Sequence, residues 1–228
     1  MRRLVFFLFF GVALILSVYT SGQASGISLE EIIANVQKVY QGTKDLTADF
    51  IQESTLKSIS KTQLAKGKIY FKNPGKLFWD YYGATKQEII TDGETLWMYF
   101  PEDKQVIINE LKNVYRSNTS TFFLSGMGKL KRDFDIQLVE PDLGDEEKGY
   151  LLKLIPKEQQ SSFNELFLFV NKDTFLVVET YFHDFYGNLI RIKFKNHMVN
   201  QALSDSMFVF SIPTDVEVVK PHQMIQGR

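Results

Sequence analysis

Ile190, Ile192 and Phe194 alternate with Arg191, Lys193 and Lys195. Successive side chains of a strand point to opposite faces, so a period of two puts the apolar groups on one face and the cations on the other. The stretch describes an antiparallel sheet with one dry face and one wet face. The same period recurs along most of the chain. Leu46, Ala48 and Phe50 alternate with Thr47, Asp49 and Ile51, and Gly67, Ile69 and Phe71 alternate with Lys68, Tyr70 and Lys72. Further strands are predicted over 76–82, 88–91, 95–100, 105–110, 134–139, 150–155, 165–170, 175–183, 189–195 and 207–210. Asn73-Pro74-Gly75, Asp92-Gly93, Asn171-Lys172-Asp173 and Tyr186-Gly187-Asn188 are turn sequences between them. Turns at this spacing predict a sandwich or barrel of sequential antiparallel strands, and the polar tail after Pro213 is expected to be extended.

Two segments depart from that period. Ser28 followed by Glu31 is a capping box, and Leu29, Ile32, Ile33, Val36 and Tyr40 recur at helical spacing up to a stop at Gly42. A second, short helix is expected between Val114 and Gly128, starting at Asn118-Thr119-Ser120 and carrying Phe122, Phe123, Leu124 and Met127. The 20 Phe and 10 Tyr among 228 residues supply ample core, and aromatic rings favour the pleated surface of strands. No linker, repeat or low-complexity segment divides the chain, so one domain is expected.

The N-terminus reads as an export signal. Met1-Arg2-Arg3 is a short positive region, Leu4 to Val18 is almost wholly apolar, and Gly22 and Ala24 are small residues spaced as a signal peptidase requires. The apolar run is shorter than the roughly 20 residues of a spanning helix. Residues 1–24 are therefore expected to be cleaved, leaving residues 25–228 as a single domain beyond the inner membrane. The chain has no cysteine, which excludes disulfides and acylation on cysteine. Basic and acidic residues number 26 and 27, and losing Arg2 and Arg3 leaves no basic excess, so a nucleic-acid partner is not expected.

Nothing in the sequence is a catalytic signature. His183, His197 and His222 fall in no metal pattern, Ser125-Gly126 lacks the glycine of a nucleophile elbow, and phosphate-binding glycine loops are missing. His183-Asp184 reads as the end of a strand entering the Tyr186-Gly187 turn. The expectation is a binding protein without catalytic residues, metal or cofactor. An exported hydrolase on an unfamiliar scaffold is the contrasting reading, and it predicts activity that His183→Ala removes.

From Gly67 to Glu110 the chain reads GKIYFKNPGKLFWDYYGATKQEIITDGETLWMYFPEDKQVIINE. A glycine-led strand ends in Lys72-Asn73-Pro74. A strand carrying Phe78-Trp79 follows, then Thr91-Asp92-Gly93, Leu96-Trp97-Met98-Tyr99 and Gln105-Val106. Upstream, Leu46-Thr47-Ala48-Asp49-Phe50-Ile51-Gln52 carries the Phe-x-Gln pattern, and downstream Thr121-Phe122-Phe123-Leu124 occupies the place of an internal helix. This ordered set resembles the LolA family of periplasmic lipoprotein carriers. The likeness runs from about Ile27 to Ile212 in element order and is specific from Phe50 to Val106. Some members carry an arginine just before the turn proline, implicated in holding a lid; here that position is Asn73, between Lys72 and Lys76. Thr121 stands where a proline is common.

The resemblance implies a mainly β fold with helices: a strongly curved antiparallel sheet, an unclosed barrel, covered on its concave face by helices. It implies a monomer in the periplasm that takes the acyl chains of lipoproteins from an inner-membrane ABC transporter and passes them to an outer-membrane receptor. A stand-alone protein of the same fold that binds or senses lipid without sorting lipoproteins is the alternative. A buried methylene is worth about 0.8 kcal/mol, so a triacylated anchor with roughly forty methylenes would cost about 30 kcal/mol to bring into water. A carrier must recover most of that with apolar surface. Alternation nominates the lining: Ile69 with Phe71, Leu77 with Trp79 and Tyr81, Trp97 with Tyr99, and Ile192 with Phe194, with Phe122, Phe123 and Met127 facing the sheet from the short helix. The same residue types build an ordinary core. Trp79→Glu is expected to cripple lipid binding and spare the fold.

Overall fold

The structure is a computed structural model that describes residues 27–111, 127–140, 149–158 and 163–219. The first helix, α1 (Leu29–Gly42), opens as its sequence dictates. The Ser28 side chain accepts from the Glu31 amide, and Glu31 accepts from the Ser28 amide at 2.9 Å. Ile32, Ile33, Val36 and Tyr40 form its buried stripe. A four-residue helix, α2 (Leu130–Asp133), follows a 3-10 turn at Met127–Lys129, and both pack against α1.

The remaining elements are β1 (Asp45–Leu56), β2 (Lys61–Lys72), β3 (Lys76–Tyr82), β4 (Gln87–Thr91), β5 (Thr95–Phe100) and β6 (Gln105–Glu110) in the first half. The second half contributes β7 (Phe134–Val139), β8 (Gly149–Pro156), β9 (Leu166–Asn171), β10 (Val177–His183), β11 (Leu189–Val199) and β12 (Glu217–Val219). All twelve form one curved sheet in the order β12-β6-β5-β4-β3-β2-β1-β11-β10-β9-β8-β7. It is neither a sandwich nor a closed barrel, because β12 and β7 stand at opposite ends of the order. Two meanders meet where β1 pairs with β11, through Phe50↔Phe194 and Gln52↔Ile192. The expectation of purely sequential antiparallel pairing fails there and again at β12, which runs parallel to β6.

Register identifies the two faces. Ala48, Ile69 and Trp79 lie in one transverse row, and Leu46, Phe71 and Leu77 in the next. These residues share one core cluster with the buried stripe of α1 and with Leu152, Leu154, Leu166 and Leu168 from the second half. This is the inner face. Tyr40 joins α1 to the second half, since its hydroxyl accepts from the Val177 amide at 3.1 Å. Burial pushes that phenol well above its ordinary range.

The outer face differs between the halves. Over β9–β11 it mixes charge with rings: Glu179 pairs with Arg191 and Lys193, Arg191 lies over the Tyr181 ring, and Phe167 stacks on the same ring. Over β3–β6 it carries Phe78, Ile90, Trp97, Tyr99 and Val106. Ile90 and Val106 are buried yet lie outside the main core cluster. The chain after β11 runs back across this region to reach β12. It is fastened at the start by Asp45, whose carboxylate accepts from the amides of Gln201 at 2.6 Å and Leu203 at 3.2 Å. Asp205 then pairs with Lys72 and Lys76. Phe208 is fully buried, and Phe210 packs on Tyr99 with ring centroids 5.1 Å apart. The strand expected over 207–210 is instead the end of a 3-10 turn, Asp205–Phe208, that seats Phe208 against the sheet. Residues crossing a sheet find no neighbouring strand to pair with, so a local turn satisfies the backbone where alternation alone read a strand.

Candidate functional site

The inner face is floored by an aromatic group. Phe50 meets Trp79 edge-on with centroids 4.8 Å apart and meets Tyr81 at the same distance. Trp79 also approaches Phe194 at 6.0 Å. Gly67 makes this arrangement possible. A Cβ there would lie 2.7 Å from the Phe50 ring and 2.1 Å from the Asp80 carbonyl oxygen, so only glycine lets the ring lie across the strand. Edge-to-face aromatic pairs of this kind add about 0.5–1.5 kcal/mol each beyond their buried area.

Seven of the nominated residues come together here: Ile69, Phe71, Leu77, Trp79, Tyr81, Ile192 and Phe194 all belong to the inner core cluster. Met127 joins them, fully buried, from the 3-10 turn beside α1. Trp97 and Tyr99 do not. The pairings Trp79↔Ile89 and Ile89↔Met98 put Met98 and Leu96 on the inner face, so Trp97 and Tyr99 point outward, Tyr99 beneath Phe210. Phe122 and Phe123 lie outside the described residues, as do the proposed helix start at Asn118-Thr119-Ser120, the signal segment 1–24 and His222. Phe50 and Phe182 are not among the nominated residues, yet they are part of the same face. Phe50 has a signal in its own alternation with Ala48 and in the Phe-x-Gln pattern.

Polar groups mark the edges of this face. The Tyr81 hydroxyl donates to Gln52 Oε1 at 2.9 Å, and burial raises the phenol well above its usual range. His197 Nε2 lies 3.1 Å from the Val177 carbonyl oxygen, and burial holds the imidazole below its ordinary value despite that bond. At the helix end, Asn73 Nδ2 donates to the carbonyls of Tyr40 at 3.1 Å and Thr43 at 2.6 Å. Asparagine therefore fastens the turn between β2 and β3 to the C-terminus of α1. Among the described residues no three His, Asp or Glu side chains are grouped to hold a metal ion, and no helix is long and apolar enough to cross a membrane.

Comparison with known proteins gives this arrangement a context. A protein of Methylococcus capsulatus named outer-membrane lipoprotein carrier protein is 31% identical over 185 residues, covering 81% of this chain and 86% of its own length. A protein of Hahella chejuensis with the same name is 30% identical over 208 residues, covering 90% and 96%. Among solved structures, an uncharacterized conserved protein from Thermus thermophilus superposes with a TM-score of 0.53 at 16% identity, covering 84% of this chain and 98% of that one, a likeness of fold alone. Residues 41–211 match the family described as outer membrane lipoprotein carrier protein LolA, and with three quarters of its length inside that match the chain belongs to the LolA family.

Proposed function

We propose that this protein carries outer-membrane lipoproteins by burying their acyl chains against the inner face of its sheet. What carries the reading is that relatives matched over most of the chain are named lipoprotein carriers, and that the inner face has the chemistry such a role demands. Acyl chains are flexible and apolar. A floor of Phe50, Trp79, Tyr81 and Phe194 beside Ile69, Phe71, Leu77 and Ile192 offers contact that does not depend on direction. These residues are buried as the structure stands, so cargo enters by displacing what covers them. That cover is α1, together with Met127, lying on the concave side of the curved sheet.

In this reading the export signal over residues 1–24 is removed, and residues 25–228 work as a monomer in the periplasm. Cargo arrives from an inner-membrane ABC transporter and leaves to an outer-membrane receptor. Transfer requires only a modest difference in affinity, since each 1.4 kcal/mol is about tenfold. No chemistry is catalysed. Asn73 holds the cover in place through the carbonyls of Tyr40 and Thr43 at the end of α1.

Depleting the protein in its native cell tests the reading. Lipoproteins destined for the outer membrane should accumulate at the inner membrane. Normal sorting after depletion would sink the carrier role and favour a lipid-binding protein with another task.

A further inference from the structure

The inner face is not uniformly apolar, and its polar groups are arranged in a line. Gln52 Nε2 donates to Ser54 Oγ at 3.1 Å while its carbonyl oxygen accepts from Tyr81. Through the pairs Gln52↔Ile192 and Ile192↔Thr180, Gln52 and Thr180 lie in one transverse row on the same face. Thr180 is 1% exposed, and its hydroxyl has no hydrogen-bond partner. Native interiors avoid such groups, because valine fills the same space with nothing to satisfy. Among the described residues the other unpartnered buried hydroxyl, Thr47 Oγ1, is on the outer face and points away from this row. Gln52 also has a second amide hydrogen beyond the one given to Ser54. Two hydrogen-bond donors therefore stand ready on the inner face, beside the aromatic floor.

We infer that this row is a subsite for the ester carbonyls of the bound acyl chains. The inference rests on the carrier reading and adds a polar component to it. An ester carbonyl accepts and never donates, which matches the Thr180 hydroxyl and the free Gln52 amide hydrogen. The two donors are two strand spacings apart, about 9–10 Å, so each serves a different carbonyl. The hydrocarbon beyond each carbonyl lies on Phe50, Trp79, Tyr81 and Phe194. Burying an acyl chain also strips water from its ester, and a waiting donor offsets that loss. The row thereby lets the protein distinguish an acylated anchor from any other hydrocarbon.

Two synthetic probes test this. One is a short peptide whose N-terminal cysteine carries a diacylglyceryl group with ester-linked chains; the other has ether linkages and is otherwise identical. The purified protein, Thr180→Val and Gln52→Leu are titrated with both. The unsubstituted protein should prefer the ester by about 10- to 100-fold, the worth of two hydrogen bonds. Thr180→Val, which removes an unsatisfied group, should fold at least as stably, bind the ether unchanged and lose about 3- to 10-fold of the preference, the share of one carbonyl. Gln52→Leu should do the same if it folds; if it does not, Thr180→Val decides alone. Equal binding of the two probes, or a preference that Thr180→Val leaves undiminished, overturns the subsite and leaves the carrier reading standing. Binding of neither probe by the unsubstituted protein defeats the carrier reading and the subsite with it.

Discussion

Trp79 is fully buried, with Phe50 and Phe194 against its ring. That burial changes what a substitution there does. Glutamate would place an uncompensated charge in the core, so Trp79→Glu should unfold the protein and not merely empty its site. Trp79→Leu is the informative variant. It should cost about 1–3 kcal/mol in urea denaturation and weaken binding of an acylated peptide in the variant that still folds. His197 supplies a second prediction at this scale. Its imidazole is held neutral by burial, below the ordinary 6.5. As pH falls through 6.5 the unfolded chain takes up a proton that the folded chain refuses, so stability should drop until the folded group also titrates. The urea midpoint should be lower at about pH 5.5 than at about pH 7.5, and His197→Gln should reduce that difference. Much of the site is legible at this scale. Alternation pairs Leu77 with Trp79 and Ile192 with Phe194 because the period of a strand is fixed. It cannot say which face is the inner one, and it misplaces Trp97 and Tyr99 for that reason: Ile89 and Ile90 are both apolar, and both faces of β4 are covered. Thr180 has no sequence signal at all, since threonine is at home in any strand.

The elements are held by a few identifiable fastenings. Asn73→Ala removes two hydrogen bonds to the end of α1 and should cost about 1–2 kcal/mol. If the helix is the cover, the same variant should take up acylated peptide faster in stopped-flow fluorescence. Gly67→Ala drives a methyl into the Asp80 carbonyl and the Phe50 ring, and should cost at least about 2 kcal/mol. The segment crossing the outer face is pinned by Asp205, whose carboxyl is lowered to about 2 by hydrogen bonds from Lys76 and Lys72. A depressed carboxyl contributes stability above its ordinary value of 3.8 and loses it as pH falls towards the folded one. Acid should therefore weaken this fastening between about pH 4 and about pH 2, seen as a small change in fluorescence near Tyr99 and Trp97 while Phe208 keeps the segment seated, and Asp205→Asn should remove that change. The elements themselves are the most legible part of the chain. β3, β5, β6 and β7 fall where the pattern puts them. The early half of β2 is missed because residues 61–66 run beyond the core with both faces largely exposed, which leaves no alternation to read.

At the scale of the whole molecule, sequence leaves the order of the strands open. Turn spacing allows a sandwich or a barrel, and nothing local announces that β1 lies between β2 and β11. That arrangement depends on Asp45 and Phe50 meeting residues near the far end of the chain, at Gln201 and Phe194. The pairing also sets a schedule. About 130 residues separate the end of β1 at Leu56 from the start of β11 at Leu189, so the two halves cannot be joined until all of that intervening chain is available. Contacts so distant in sequence form slowly. A polypeptide threaded from its N-terminus through a narrow pore has to stay unfolded until its end has passed, and this topology withholds the closing seam for that long. Joining the two ends of the chain and opening it between β6 and β7 would leave only β12 and α1 between β11 and β1; this should speed refolding and, on the reading that the protein is exported, slow its export.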